Sequence, residues 1–134
     1  WFGFDDAFYA AARLLNLLAR HPGSSADFFA AWSTGLTTPE LRLEMAEGEP
    51  VAFMNRLLTQ ADFGPNARLI TVDGLRVEFP HSWGLVRASN TTPSLVLRFE
   101  ADDSAAMSEI QERFRQQLWA LQPNVALPFN QDQP

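Results

Sequence analysis

The sequence predicts an α+β fold, a mainly antiparallel four-stranded sheet packed on one side by helices and preceded by a helical remnant of an earlier domain. Three observations carry this. From Leu41 onward, short runs alternating apolar and polar residues follow one another through turn residues. A single helical pattern interrupts them, and an unbroken helical stripe follows the last run, so most strands are joined by hairpins and the helices are left to cover one face.

In chain order, Asp5 and Asp6 open an amphipathic segment whose Phe8, Ala11, Ala12, Leu15, Leu18 and Ala19 recur at three- and four-residue spacings. This reads as a helix to about Arg20 with an aspartate at its N-cap, ended by His21-Pro22-Gly23. Adjacent carboxylates point different ways, and negative charge suits a helix start, so the pair reads as capping rather than as metal ligands. Ser24 and Ser25 can cap a second short helix through Ala26 to Trp32. The stretch from Ser33 to Pro39 then loses all apolar period and reads as a linker, which divides the chain at residues 1–34 and 35–122, with 123–134 an irregular, loosely held tail.

Leu41, Leu43 and Met45 alternate with polar positions as a first strand. Pro50 sits well at the start of a helix whose Val51, Met54, Leu57, Leu58 and Ala61 form its apolar face. Leu69 to Val72 and Leu75 to Phe79 flank Asp73-Gly74, a two-residue hairpin signal. Trp83, Leu85 and Val86, then Leu95, Leu97 and Phe99, make two further runs. Asp102, Asp103 and Ser104 can cap a last helix striped by Met107, Ile110, Phe114, Leu118 and Leu121, with Arg113, Arg115, Gln116 and Gln117 mostly off the stripe.

Length and composition narrow the function. A chain of 134 residues, 46% hydrophobic, buries one sizeable core. It does not begin with methionine, and Trp1-Phe2-Gly3-Phe4 directly before a helix reads as a piece cut from a longer protein. Cysteine is absent, which excludes disulfides, thiol catalysis and thiolate metal sites. Neither a signal peptide nor an apolar run of roughly 18 residues occurs, so no membrane association is expected and the cytoplasm is the default location. The net charge of −6 argues against a nucleic-acid partner. It bears little on a local anion site, because salt screens exposed charges beyond about 8 Å. Asn90-Thr91-Thr92 formally matches a glycosylation acceptor, a coincidence without a secretory signal.

The candidate site lies between the last two runs. Arg87 to Pro93 is a polar loop in which Ser89, Asn90, Thr91 and Thr92 leave backbone N–H groups approachable and add hydroxyl donors. Arg87 adds a permanent charge whose planar fork meets two phosphate oxygens at once. The competing reading is an ordinary turn beside a solvated arginine. His81, in a turn between polar residues, reads as a solvated histidine rather than an acid–base group.

The string RASNTTP, preceded by WGLV and by Asp73-Gly74-x-Arg76-Val77-x-Phe79-Pro80, resembles the C-terminal domain of the bacterial phosphomannomutase/phosphoglucomutase family, within the α-D-phosphohexomutase superfamily. The resemblance extends more loosely over nearly the whole chain. Phosphoglucosamine mutases typically carry a Gly-Thr-Glu-Pro form of the loop, so Asn90-Thr91-Thr92-Pro93 favours the hexose enzymes. It implies a TATA-binding-protein-like fourth domain, with WFGFDDAFYAAARLL as the last helical part of the third. It further implies Arg87, Ser89, Asn90 and Thr91 as phosphate-binding residues, with Thr92 in the same loop, and a hexose phosphate and the enzyme's remaining domains as partners. Magnesium is implied for the intact enzyme, its three aspartate ligands lying outside this chain. Neither a phosphoserine loop nor a D-x-D-x-D run occurs in the sequence, so the expectation is no catalytic residue, no bound metal and no activity from this piece alone. A stand-alone sugar-phosphate-binding module and a purely structural interaction domain remain as alternatives.

Overall fold

The computed structural model describes residues 5–32, 35–123 and 125–129. The expectations for Trp1 to Phe4, for Ser33 and Thr34 of the linker, and for Asn124 and residues 130–134 of the tail lie outside them. The chain divides into two units, Trp1–Thr34 and Gly35–Pro134.

In the first unit, α1 spans Ala7–Arg20 and α2 spans Ser25–Ala30. Asp6 is the N-cap of α1, its Oδ1 accepting the Tyr9 N–H at 2.9 Å. Ser24 and Asp27 form a reciprocal capping box on α2. The bond from the Ser24 hydroxyl, then the one from its N–H, hold the Asp27 carboxyl below its ordinary pKa. Neither helix has a fully buried residue, so their apolar faces build no core of their own.

The second unit holds six strands, β1 (Leu36–Thr37), β2 (Leu41–Glu44), β3 (Arg68–Ile70), β4 (Leu75–Phe79), β5 (Ser82–Ala88) and β6 (Ser94–Ala101), with α3 (Glu49–Gln60) after β2 and α4 (Ser104–Leu121) after β6. All neighbours are antiparallel in the order β1-β6-β5-β4-β3, and β2 also pairs with β6. The antiparallel α+β architecture is as expected, but among the described residues there are six strands rather than four. Part of the expected linker is strand. Leu36 and Thr37 pair with Ala101 and Glu100, and Thr38 exchanges bonds with Phe99 through its N–H and hydroxyl. Pro39, with no N–H to donate, separates β1 from β2 along the same edge of β6.

The helices share one face of the sheet. Phe53, Met54 and Leu57 of α3 and Ile110, Phe114 and Leu118 of α4 form one core with Leu43, Leu75, Val77, Val86, Leu95, Leu97 and Phe99. On α3 the buried stripe is Pro50, Phe53, Met54 and Leu57, whereas Val51 and Leu58 are exposed. The apolar face is thus shifted from the expected Val51–Leu58 stripe, with the fully buried Phe53 in it. Gly84 lets the phenyl ring of Phe114 rest on β5, since a Cβ there would come within 2.4 Å of it.

Two further expectations are corrected. The register Ile70↔Arg76 is incompatible with a two-residue turn, which would pair Val72 with Leu75. Val72 is instead 94% exposed, and β3 ends at Ile70. Gly74 takes φ 75° and lies against β5, where a Cβ would meet Val86 O at 2.3 Å and Arg87 Cβ at 2.5 Å. A longer connection ending in a left-handed glycine satisfies both that contact and the burial of Leu75. The tail, expected to be loosely held, is docked through its described residues. Leu127 and Phe129 are buried, and the Phe129 ring packs edge-on against Phe99 at 4.9 Å. That docking also explains why Arg115, off the apolar stripe of α4, is nevertheless buried: its Nη2 donates to Phe129 O at 3.0 Å and its Nη1 pairs with Glu112.

Candidate functional site

Strand alternation sorts the sheet residues onto two faces. The core side takes Leu41 and Leu43, Leu75 and Val77, Gly84 and Val86, and Leu95, Leu97 and Phe99. The opposite, outer side therefore takes Arg42 and Glu44 from β2, Arg76 and Glu78 from β4, Trp83, Leu85 and Arg87 from β5, and Val96, Arg98 and Glu100 from β6. Five bond-register pairs between β5 and β6 precede Arg87↔Val96 and Ala88↔Leu95, after which the Ser89 N–H donates to Ser94 O at 2.9 Å. Arg87 and Ser89 thus stand on the outer face two residues apart, at the mouth of the β5–β6 loop.

The loop is knotted by its own hydroxyls. Ser89 Oγ accepts from the N–H groups of Thr91 and Thr92, both at 3.3 Å, and from Thr92 Oγ1 at 3.0 Å. Thr91 Oγ1 lies 3.4 Å from the same atom. Thr92 Oγ1 also shares a 2.9 Å hydrogen bond with Ser94 Oγ, and the Ser94 N–H closes a tight turn on Thr92 O at 2.8 Å. Ser94 is 0% exposed. Pro93 O accepts the Met45 N–H at 2.9 Å, tying the loop to the end of β2. A buried hydroxyl must find a partner, so this network holds the loop in one shape. Ser94 escaped sequence reasoning; a hydroxyl at the start of a strand carries no signal until the chain curls Thr92 back over it.

Ser89, Asn90, Thr91, Thr92 and Pro93 wall one side of a hollow of about 180 Å³, and Glu47, Gly48, Pro50 and Val51 at the start of α3 wall the other. Arg87 is not in that wall. It lies on the strand entering the loop, its guanidinium half-buried, with the Asp73 carboxylate 4.0 Å from Nη1. Gly74 presses on its Cα and Cβ, so the Asp73-Gly74 turn both backs the Arg87 stem and faces its charge. A larger cavity of about 630 Å³ lies elsewhere, between the β4–β5 turn and the start of α4. Arg113 in its wall is already paired with Glu109 at 2.6 Å and stacked over Phe79 at 4.6 Å. The small hollow brings together the four polar loop side chains that the sequence singles out, with Glu47 in the facing wall. His81 is exposed as expected and hydrogen-bonded to Asp102 Oδ2 at 2.8 Å. Among the described residues no group of three or more His, Asp or Glu side chains is placed to hold a metal ion, and no helix is long and apolar enough to cross a membrane.

A six-stranded antiparallel sheet covered by two helices, with a hydroxyl-knotted loop between its last two strands, defines an α+β domain. Residues 40–117 match the family described as phosphoglucomutase/phosphomannomutase, C-terminal domain, and the chain belongs to that family. Curated relatives include the phosphomannomutase/phosphoglucomutase of Pseudomonas putida, 46% identical over 96% of this chain and 28% of its own length. The phosphoglucomutase of Neisseria gonorrhoeae is 48% identical over 86% of this chain and 25% of its own. A probable phosphoglucosamine mutase of Methanocella arvoryzae is 29% identical over 78% of this chain. Among solved structures, a phosphoglucomutase/phosphomannomutase family protein from Burkholderia thailandensis superimposes with a TM-score of 0.80 at 43% identity, over 96% of this chain and 27% of that one. The chain thus spans about a quarter of the length of the curated relatives it matches.

Proposed function

We propose that this chain is the C-terminal substrate-phosphate-binding domain of a phosphohexomutase that interconverts hexose 1-phosphate and hexose 6-phosphate through a bisphosphorylated intermediate. The observation that carries the reading is the pairing of Arg87 with the Ser89–Thr92 loop. Arg87 leads into the loop with a carboxylate 4.0 Å away, and the loop after it is held in shape by bonds from the Thr91 and Thr92 N–H groups to Ser89 Oγ, in a chain whose relatives are named phosphomannomutase/phosphoglucomutase.

In this reading Arg87, Ser89, Asn90, Thr91 and Thr92 hold the phosphate that is not reacting while the other is transferred. Oxygens bound to Arg87 need no proton movement, and the loop's shape is set before the ligand arrives. The grip therefore supplies orientation rather than bond making. Transfer itself belongs to the rest of the enzyme. The chain has no phosphoserine loop, and the magnesium expected of the family has no D-x-D-x-D ligand run in this sequence. Magnesium would supply charge neutralisation at the transferring phosphoryl group when bound by the other domains. Sugar phosphates as substrates place the enzyme in the cytoplasm.

An amide chemical-shift titration of the chain with glucose 1-phosphate, inorganic phosphate and glucose tests the grip. Shifts centred on Arg87 to Thr92 with both phosphate ligands, and none with glucose, are expected. Equal shifts with glucose would refute a phosphate site.

A further inference from the structure

The outer face carries a second arginine in register with Arg87. The pairings Arg42↔Val96 and Arg87↔Val96 place Arg42 of β2, Val96 of β6 and Arg87 of β5 in one row across three strands. Strand alternation puts all three on the sheet face opposite α3 and α4. Val96 lies outside the cluster built with α3 and α4, yet it is only 4% exposed. Its cross-strand neighbours on that face are the two arginines, and long cationic side chains can lay their aliphatic stems over an apolar residue between them. Two strand spacings, roughly 9.5 Å, separate the backbones, a gap that two arginine side chains close from opposite ends.

Each guanidinium holds a replaceable counter-charge. Arg42 donates to Glu40 at 2.7 Å, and Arg87 lies 4.0 Å from Asp73; all four side chains reach solvent. Exposed pairs of this kind contribute little, so a bound dianion can displace them at small cost. Glu44, next on the same face of β2 and opposite Ser94, bounds the positive zone on its loop side. One guanidinium fork satisfies two oxygens of a phosphate monoester, leaving a third for another cation.

We infer that Arg42 is a second phosphate-binding arm, closing with Arg87 over Val96 on the dianionic phosphate monoester that the loop holds. This deepens the reading above and rests on it. Arg42 swings from Glu40 to the phosphate, so Glu40 tunes affinity by competing for it.

The test is the affinity of the 134-residue chain for inorganic phosphate, read by amide shifts at low and at physiological salt, for Arg42→Gln, Arg42→Lys, Arg87→Gln, Glu40→Gln and, as a control of equal charge removed from α4, Arg113→Gln. Arg42→Gln is expected to weaken binding about three- to fivefold, the scale of a partly exposed charge contact. Arg42→Lys should recover part of the loss, Glu40→Gln should tighten binding, and Arg113→Gln should leave it unchanged. If Arg87→Gln abolishes binding while Arg42→Gln matches the unsubstituted chain, the second arm is refuted and the phosphate site stands. A loss from Arg113→Gln equal to that from Arg42→Gln also refutes it, since the effect is then the overall field. Binding indifferent to both Arg87→Gln and Arg42→Gln overturns the phosphate site itself, and the arm with it.

Discussion

The two ends of the outer sheet face carry similar residues and treat them differently. At the end away from the loop, Glu78 accepts from Arg76 at 2.7 Å and from Arg68 at 3.1 Å, and Arg76 also stacks on the Trp83 ring at 3.8 Å. Arg76, by its hydrogen bond first and its charge besides, lowers the pKa of Glu78 below the ordinary glutamate value, and Arg68 adds to it. At the loop end Arg87 has a carboxylate no nearer than 4.0 Å, beside a loop whose hydroxyls are bound to one another. Charges cancelled in place brace the sheet. An under-satisfied charge is free to pair with a ligand, the role proposed for Arg87.

The most severe way to break the comparison is to remove the packing beneath both ends. Phe114 is fully buried against Phe63, Phe99 and Gly84. Phe114→Ala should destabilise the domain by about 3–5 kcal/mol in urea unfolding, with signals from both ends lost in one transition. Arg87→Ala separates them. It should lower kcat/KM of the intact enzyme by about 2–3 kcal/mol of transition-state stabilisation, the range for a charge-assisted contact, while Tm stays within a degree or two of the unsubstituted protein. A kcat/KM within twofold of the unsubstituted enzyme would remove Arg87 from the site.

Ser94→Ala tests whether the loop's shape matters apart from its charge. Thr92 Oγ1 would lose its buried partner at a cost of about 1 kcal/mol, and phosphate should bind more weakly although no ligand contact is deleted. Unchanged affinity would show that the loop holds its form without that bond.

The smallest effect belongs to the far end. Because the folded-state pKa of Glu78 is lowered, its contribution is complete above the unfolded glutamate pKa and is lost as pH falls through the lowered value. The Tm difference between the unsubstituted chain and Glu78→Gln should therefore be largest near neutral pH and vanish in acid, with phosphate binding untouched. A difference that persists unchanged in acid would mean that the pair contributes by packing alone.

Much of this was legible beforehand because the signals are local. The caps Asp6, Ser24 and Asp103 bond as their positions imply, and α1, α3 and α4 begin and end within about two residues of their expected bounds. The phosphate-loop residues share one short segment, so they were bound to arrive together. What escaped depends on distant partners. Nothing on α4 marks Arg115 for burial until the tail brings Phe129 O to it, and Val72 looked like strand until Gly74 had to fit against Arg87.

From the sequence alone came the antiparallel α+β fold class and the candidate loop, since period, capping and turn chemistry act over a few residues, and, by the resemblance of RASNTTP and its flanks, the family. Tertiary structure alone decided the strand count, the register at Gly74, the burial of Ser94 and the row that sets Arg42 beside Arg87 across Val96. The physical reason is that cross-strand neighbours 45 and 54 positions apart, as Arg87 and Val96 are to Arg42, meet only through hydrogen-bond register, and register follows from how the whole sheet buries its inner face.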